Sequence, residues 1–122
     1  MEHLIIKGDY QLPTVNFYTN GFLTLSGRSI PVNAKLFYKK LHTFISHLNV
    51  SELNLSIDLS HINSESVKQL YNLISFVDKN KQFETININW HFDYDDEELL
   101  GLGKTIQEFT RRSNFHFLET IC

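Results

Sequence analysis

Apolar and polar positions repeat with two different periods along the chain, and each change of period marks an element. Leu53, Leu55, Ile57 and Leu59 alternate with Asn54, Ser56, Asp58 and Ser60. A period of two predicts a strand with one buried face. Ile86, Ile88, Trp90 and Phe92, separated by Asn87, Asn89 and His91, predict a second such strand. Phe115 and Phe117 alternate with His116 and Leu118 in a last one. Near the start, Val15, Phe17, Phe22, Leu23 and Leu25 flank Thr19-Asn20-Gly21. Asn-Gly between apolar runs predicts a hairpin whose two turn residues both take positive φ. Pro13 suits the start of an edge strand. Leu4 to Ile6 is expected to add a further short strand.

Between these strands the period changes to that of a helix. Leu36, Phe37, Leu41, Phe44, Ile45 and Leu48 form one stripe, which predicts a helix over 34–48. Asn33 is placed to cap it, and Pro31 restricts the lead-in. Val67, Leu70, Tyr71, Ile74 and Val77 predict a second helix that ends near Asp78-Lys79-Asn80-Lys81, with Asn63 or Ser64 as its N-cap. Leu99, Leu102, Ile106 and Phe109 predict the buried face of a third. Its start lies in the acidic run Asp93, Asp95, Asp96, Glu97 and Glu98, and its end at Arg111-Arg112. Acids at the start and bases at the end complement the helix dipole.

The order is thus a β-hairpin region followed by α-β-α-β-α-β. Strand-helix-strand steps favour right-handed parallel crossovers. A parallel sheet covered on both faces reads as unbroken Val, Ile and Leu, which these strands do not. The expected fold is α/β, an α+β sandwich. It has a mixed sheet, about three helices mainly on one face, an N-terminal hairpin and a partly polar opposite face.

Composition narrows the function more than the fold. The 122 residues are 42% apolar, 13% aromatic and 20% charged. That balance excludes a disordered chain. At this length about two-thirds of the surface can be buried, enough for a single domain over 1–122. A net charge of -3 excludes a general binder of nucleic acid or anionic membrane. No stretch approaches the ~18 apolar residues of a membrane helix, and the apolar run at the N-terminus is too short for a signal peptide. A cytoplasmic protein is expected. The single cysteine, Cys122, cannot form an internal disulfide and is a weak candidate for a catalytic thiol.

Catalytic and ligand-binding motifs fail one by one. The histidines at 3, 42, 47, 61, 91 and 116 are scattered, and His42 and His47 stand five apart rather than three or four. They read as ordinary surface or half-buried residues. In a Ca²⁺ loop starting at Asp93, Glu98 would stand where the glycine belongs and Lys104 where the final glutamate belongs. Leu100-Gly101-Leu102-Gly103-Lys104 lacks phosphate-loop spacing, so Gly101 and Gly103 are expected to permit close packing. Nothing in the spacing assembles a triad from Asp58, Ser64 and the histidines. The chain reads as a non-enzyme with no cofactor and no metal.

One place combines exposed hydroxyls, a strand end and a helix start: Ser60-His61-Ile62-Asn63-Ser64-Glu65-Ser66. Ser64 there is a candidate helix cap and also a sensible phosphosite. A phosphate would face free backbone N–H groups and the positive end of the helix dipole.

At this point the sequence resembles a known family. Met1 to Gly8, Pro13-Thr14-Val15-Asn16-Phe17, Gly27-Arg28-Ser29-Ile30-Pro31 with Asn33, and Phe37-Tyr38 look like the SiaC-type regulatory phosphoproteins. So do Asn63 with Ser64 and Ser66, Ile88-Asn89-Trp90 and Asp95-Asp96-Glu97. The resemblance implies a STAS-like domain, similar to anti-sigma-factor antagonists, that works by partner switching. It implies a serine/threonine kinase with a histidine-kinase-like ATPase fold and a PP2C-like phosphatase. It also implies an output partner such as a diguanylate cyclase, bound by the unphosphorylated form in cyclic-di-GMP signalling and biofilm control. The family phosphoresidue maps onto Ser64, with Ser66 as the fallback; Ser64 replaces a Thr and Glu65 a Ser. The partner-binding surface is expected to include Asn63, Ser64, Glu65 and Lys68. Two alternatives stand beside this one: a constitutive interaction adapter without a phospho-switch, and an anti-sigma-factor antagonist.

Overall fold

The computed structural model describes residues 1–120; Cys122 lies outside the described residues. The elements run β1 (Leu4–Ile6), β2 (Thr14–Phe17), β3 (Phe22–Ser29), α1 (Ala34–Ser46), β4 (Glu52–Ile62), α2 (Ser64–Lys79), β5 (Thr85–Asp93), α3 (Glu97–Phe109) and β6 (Asn114–Thr120). They form one six-stranded sheet in the order β1-β2-β3-β4-β5-β6. β1, β2 and β3 pair antiparallel, whereas β3, β4, β5 and β6 pair parallel. The sheet is therefore mixed, with three helices and an N-terminal hairpin, as the two periods imply.

Register explains why the strands alternate. Ile6, Val15, Leu25, Ile57, Trp90 and Phe117 are aligned across all six strands. This row packs in or against the core beneath the helices. One residue away, Ile5, Asn16, Thr24, Ser56, Asn89 and His116 form the neighbouring row on the other face. There Asn89 Nδ2 donates to Ser56 Oγ (3.3 Å), and Asn87 Nδ2 donates to Asn54 Oδ1 (3.0 Å). Alternating chemistry thus sorts side chains between a dry face and a polar one.

Five expectations need correction. The hairpin turn has positive φ at Gly21 alone, not at Asn20. Gly21 N donates to Tyr18 O, Tyr18 N donates to Phe22 O, and Asn20 Oδ1 accepts from Phe22 N. That is the three-residue loop with one left-handed glycine rather than the two-residue turn. Phe109, expected on the buried face of its helix, is 63% exposed, and Leu36, on the apolar stripe of α1, is 58% exposed. A stripe in the sequence marks a helix face but not how far its neighbours cover it. α1 ends at Ser46, although Leu48 is still buried. The two glycines of α3 differ: nothing lies within 4 Å of a Cβ on Gly101, whereas one on Gly103 would meet Trp90.

Fifth, Arg111 and Arg112 lie beyond the end of α3 and leave its last turn without a base. Arg112 instead reaches the end of α2, donating to the carbonyl oxygens of Asp78 (3.0 Å), Asn80 (2.9 Å) and Phe83. The buried Asp78 carboxylate answers it by accepting from the backbone N–H groups of Arg111, Arg112 and Ser113 and from Ser113 Oγ. Burial opposes ionisation of Asp78, but these hydrogen bonds outweigh it and hold its carboxyl below the ordinary aspartate value. The C-terminal end of α2 is thereby fastened to the loop between α3 and β6.

Candidate functional site: the start of helix α2

β3 and β4 lead the chain into the site. Gly27 faces Leu59 and Arg28 faces His61, so Ser60 is an extra residue in a bulge beside Gly27, whose φ is +96°. Ser29, the last residue of β3, continues that strand's inward alternation and is fully buried, and the bulge brings Ile62 of β4 opposite it. Its carbonyl accepts from Asn63 N at 3.0 Å. Arg28 is held by the connection between β1 and β2. Its Nε donates to Tyr10 O (2.9 Å), and its guanidinium lies 4.3 Å from the centre of the Tyr10 ring. It also contacts His61 Nδ1 at 3.3 Å. A guanidinium only donates, so Nδ1 accepts there and the imidazole proton sits on Nε2.

Asn63 is the cap, and Ser64 is the first helical residue. Asn63 Oδ1 accepts from Ser66 N (2.9 Å), and its carbonyl accepts from Val67 N (3.0 Å). Its Nδ2 donates to Pro31 O (3.4 Å). The capping role considered for Ser64 therefore belongs to Asn63. Ser64 is exposed, and its hydroxyl makes no hydrogen bond to another described residue. At the first two helical positions, the Ser64 and Glu65 N–H groups have no intrahelical acceptor. Glu65 and Lys68, both exposed, form an ion pair at 3.3 Å. In water such a pair contributes little stability, about 0–1 kcal/mol.

Ser66 is in a different environment. It is fully buried, and Ser29 Oγ donates to its hydroxyl at 2.9 Å. Ser29 Oγ also lies 2.8 Å from the buried Tyr38 hydroxyl. Because Ser29 gives its proton to Ser66, Tyr38 donates to Ser29. Burial, which disfavours the phenolate, raises the Tyr38 pKa to about 12. These three hydroxyls join β3, α1 and α2 inside the core. Ser66 is expected from the sequence only as a second acceptor, and its partners Ser29 and Tyr38 are not among the expected site residues. Two signals pointed to them: Ser29 continues the inward series Leu23, Leu25, Gly27, and Tyr38 lies on the α1 stripe.

A groove of about 570 Å³ opens between the starts of α2 and α3, with Ile30, Ile62, Val67, Leu99 and Leu102 as its apolar lining. His61, Asp96 and Glu98 also border it. His61 Nδ1 is taken up by Arg28, and Asp96 Oδ1 caps α3 by accepting from Leu99 N at 3.0 Å. Among the described residues, no three His, Cys, Asp or Glu side chains gather as a metal site. The other histidines are dispersed. Partial burial holds the imidazole of His42, which lies against Phe76, below its ordinary pKa. No helix among the described residues is long and apolar enough to cross a membrane.

The fold and site define a small α/β domain that presents a free serine hydroxyl at a helix start, separate from its buried hydroxyl network. The chain belongs to the SiaC family of regulatory phosphoproteins, whose family model matches residues 6–120. Solved structures share the fold. SiaC of Pseudomonas aeruginosa superposes with a TM-score of 0.83 at 20% identity, covering 100% of both chains. The crystal structure of the diguanylate cyclase SiaD in complex with its activator SiaC, also from Pseudomonas aeruginosa, gives 0.81 at 20% identity, covering 98% of this chain and 99% of that one. Apo-SiaC from the same organism gives 0.72 at 21% identity, with the same coverage. The comparison with curated proteins found no match.

Proposed function

We propose that this chain is the phospho-switched member of a kinase/phosphatase partner-switching pathway in the cytoplasm, with Ser64 as the acceptor. The supporting observation is the division of labour at the start of α2. Asn63 caps the helix, Ser66 is buried, and the Ser64 hydroxyl is left exposed and unbonded. A phosphate on Ser64 adds about two negative charges beside free N–H groups at the positive end of a helix, where they are locally tolerated. The writer is a serine/threonine kinase with a histidine-kinase-like ATPase fold, and the eraser is a PP2C-like phosphatase. The unphosphorylated form binds and activates an output partner through a surface that includes Asn63, Ser64, Glu65 and Lys68. A diguanylate cyclase is the favoured partner, because a SiaC is the activator of one in a solved complex of the same fold. The chain itself carries out no chemistry in this scheme.

Incubation with the cognate kinase and ATP should add one phosphate, and Ser64→Ala should abolish it. Undiminished phosphate on the Ala variant would refute the assignment. Glu65 favours a second reading, a constitutive adapter, since its fixed charge stands beside the acceptor. That reading requires equal partner affinity for Ser64→Ala and Ser64→Asp. A difference of about tenfold, about 1.4 kcal/mol, excludes it.

A further inference from the structure

Two large apolar side chains stand exposed at the entry to α1. Val32 is 92% exposed and Leu36 58%. Val32 and Leu36 border a depression of about 290 Å³ whose wall includes Phe37 and Lys40. A second depression, of about 430 Å³, continues along the helix between Leu36, Lys39, Lys40 and Thr43. Those four stand at i, i+3, i+4 and i+7, so they form one outward stripe. A contiguous apolar surface rimmed by charge marks an interaction site more often than does a scattered exposed leucine.

The charge around this patch has one dominant sign. The ion pair found among the described residues is Lys68 with Glu65, so no described carboxylate pairs with Lys39 or Lys40. α1 has no acid in its first turn to offset the positive end of its dipole. The acid in the lining, Asp9, is committed to its own loop, where Oδ1 accepts from Gln11 N and Leu12 N at 2.8 Å each. On a chain of net charge -3, this is a locally basic, apolar surface.

We infer that this α1 face docks the output partner through a surface patch that presents an apolar side chain flanked by Asp or Glu. The inference rests on the partner-switching reading above and adds the chemistry of the partner. It also accounts for the sign of the switch. Asn63 bonds to Pro31, so Ser64 and Val32 are each the next residue along from a directly bonded pair. A phosphate on Ser64 adds about two negative charges on the Val32 side of the patch and opposes an acidic partner.

Two measurements test this. The first titrates the full chain against the diguanylate cyclase of its own organism. Leu36→Asp, and Lys39→Glu combined with Lys40→Glu, should each weaken binding by about tenfold or more with unchanged thermal unfolding. Binding by the wild type should also weaken as ionic strength rises from about 0.05 to about 0.5 M. Cyclase binding that ignores these substitutions overturns the docking face and leaves the partner-switching reading intact. The second measurement places a photo-crosslinking side chain at position 36 of the full chain in cells and sequences the peptide it captures. A peptide with an apolar residue flanked by Asp or Glu supports the face, even where its parent protein is not a cyclase and the cyclase assignment falls. A basic peptide, or crosslinking from positions 65 and 68 with none from 36, overturns it.

Discussion

A Cβ on Gly103 would stand 2.5 Å from the indole nitrogen of Trp90, closer than any real contact allows. Trp90 is fully buried, and its N–H donates to the carbonyl of Leu99 at 3.0 Å, one turn earlier on α3. The glycine lets the helix backbone come close enough for that bond. Gly103→Ala should therefore destabilise the domain by about 1–3 kcal/mol through overpacking. Gly101→Ala, in open space two residues away, should stabilise it by about 0.5–1 kcal/mol through helix propensity. Denaturant midpoints of the two variants test the contrast; shifts in the same direction would contradict it.

At the start of α2 the capping bond belongs to Asn63. Asn63→Ala should cost about 1 kcal/mol, within the usual range for a lost cap. Ser64→Ala should stay within about 0.5 kcal/mol of the unmodified protein, because no hydrogen bond is lost. Equal losses at both positions would mean that Ser64 shares the cap, which would remove the main structural reason for treating it as a free acceptor.

Tyr38 links stability to alkaline pH. Its folded pKa, about 12, lies above the ordinary value of 10.0. The folded state keeps its phenolic proton where the unfolded state has lost it, so this contribution is complete below pH 10. As pH rises from 10 towards 12, it declines by about 1.4 kcal/mol per unit. Tyr38→Phe should cost about 1 kcal/mol at neutral pH for the lost hydrogen bond. The gap between wild type and variant should close, then reverse, at high pH. Parallel pH profiles for the two proteins would rule this out.

Asp78 acts at the opposite end of the pH scale. Its folded pKa is lowered, so its stabilisation is fully present above about pH 4 and disappears as pH falls through the folded value. In Asp78→Asn, the amide replaces the oxygen that accepts from Arg111 N and sets N–H against N–H. The cost at neutral pH should be about 3 kcal/mol. Below pH 4 the difference from wild type should shrink. A difference that is constant from neutral to acid pH would show that the carboxylate charge is not what matters.

Much of the fold was legible because periodicity is a local property. Leu53 to Leu59 and Ile86 to Phe92 show their strand character within eight residues, and the helix stripes do so within two turns. What was not legible depends on distance along the chain. Arg112 stands where the dipole of its own helix favours a base, but its carbonyl partners lie about thirty residues earlier, at and just beyond the end of α2. The exposure of Leu36 and Phe109 depends on what packs over them, which a stripe does not record. The site divides in the same way. Asn63 and Ser64 were visible as a helix start, whereas the burial of Ser66 depends on Ser29, a partner 37 positions earlier on β3.

Helix α2 is fixed at both ends, by Asn63 and Ser66 against the end of β3 and by Asp78 and Arg112 against the approach to β6. A beam clamped at each end does not swing when one end is loaded. A phosphate on Ser64 would find no hinge to drive, so the two states of the switch should have nearly the same backbone. The message would then be carried as a change of electrical potential, read only by a partner close enough to sense it through the salt of the cell.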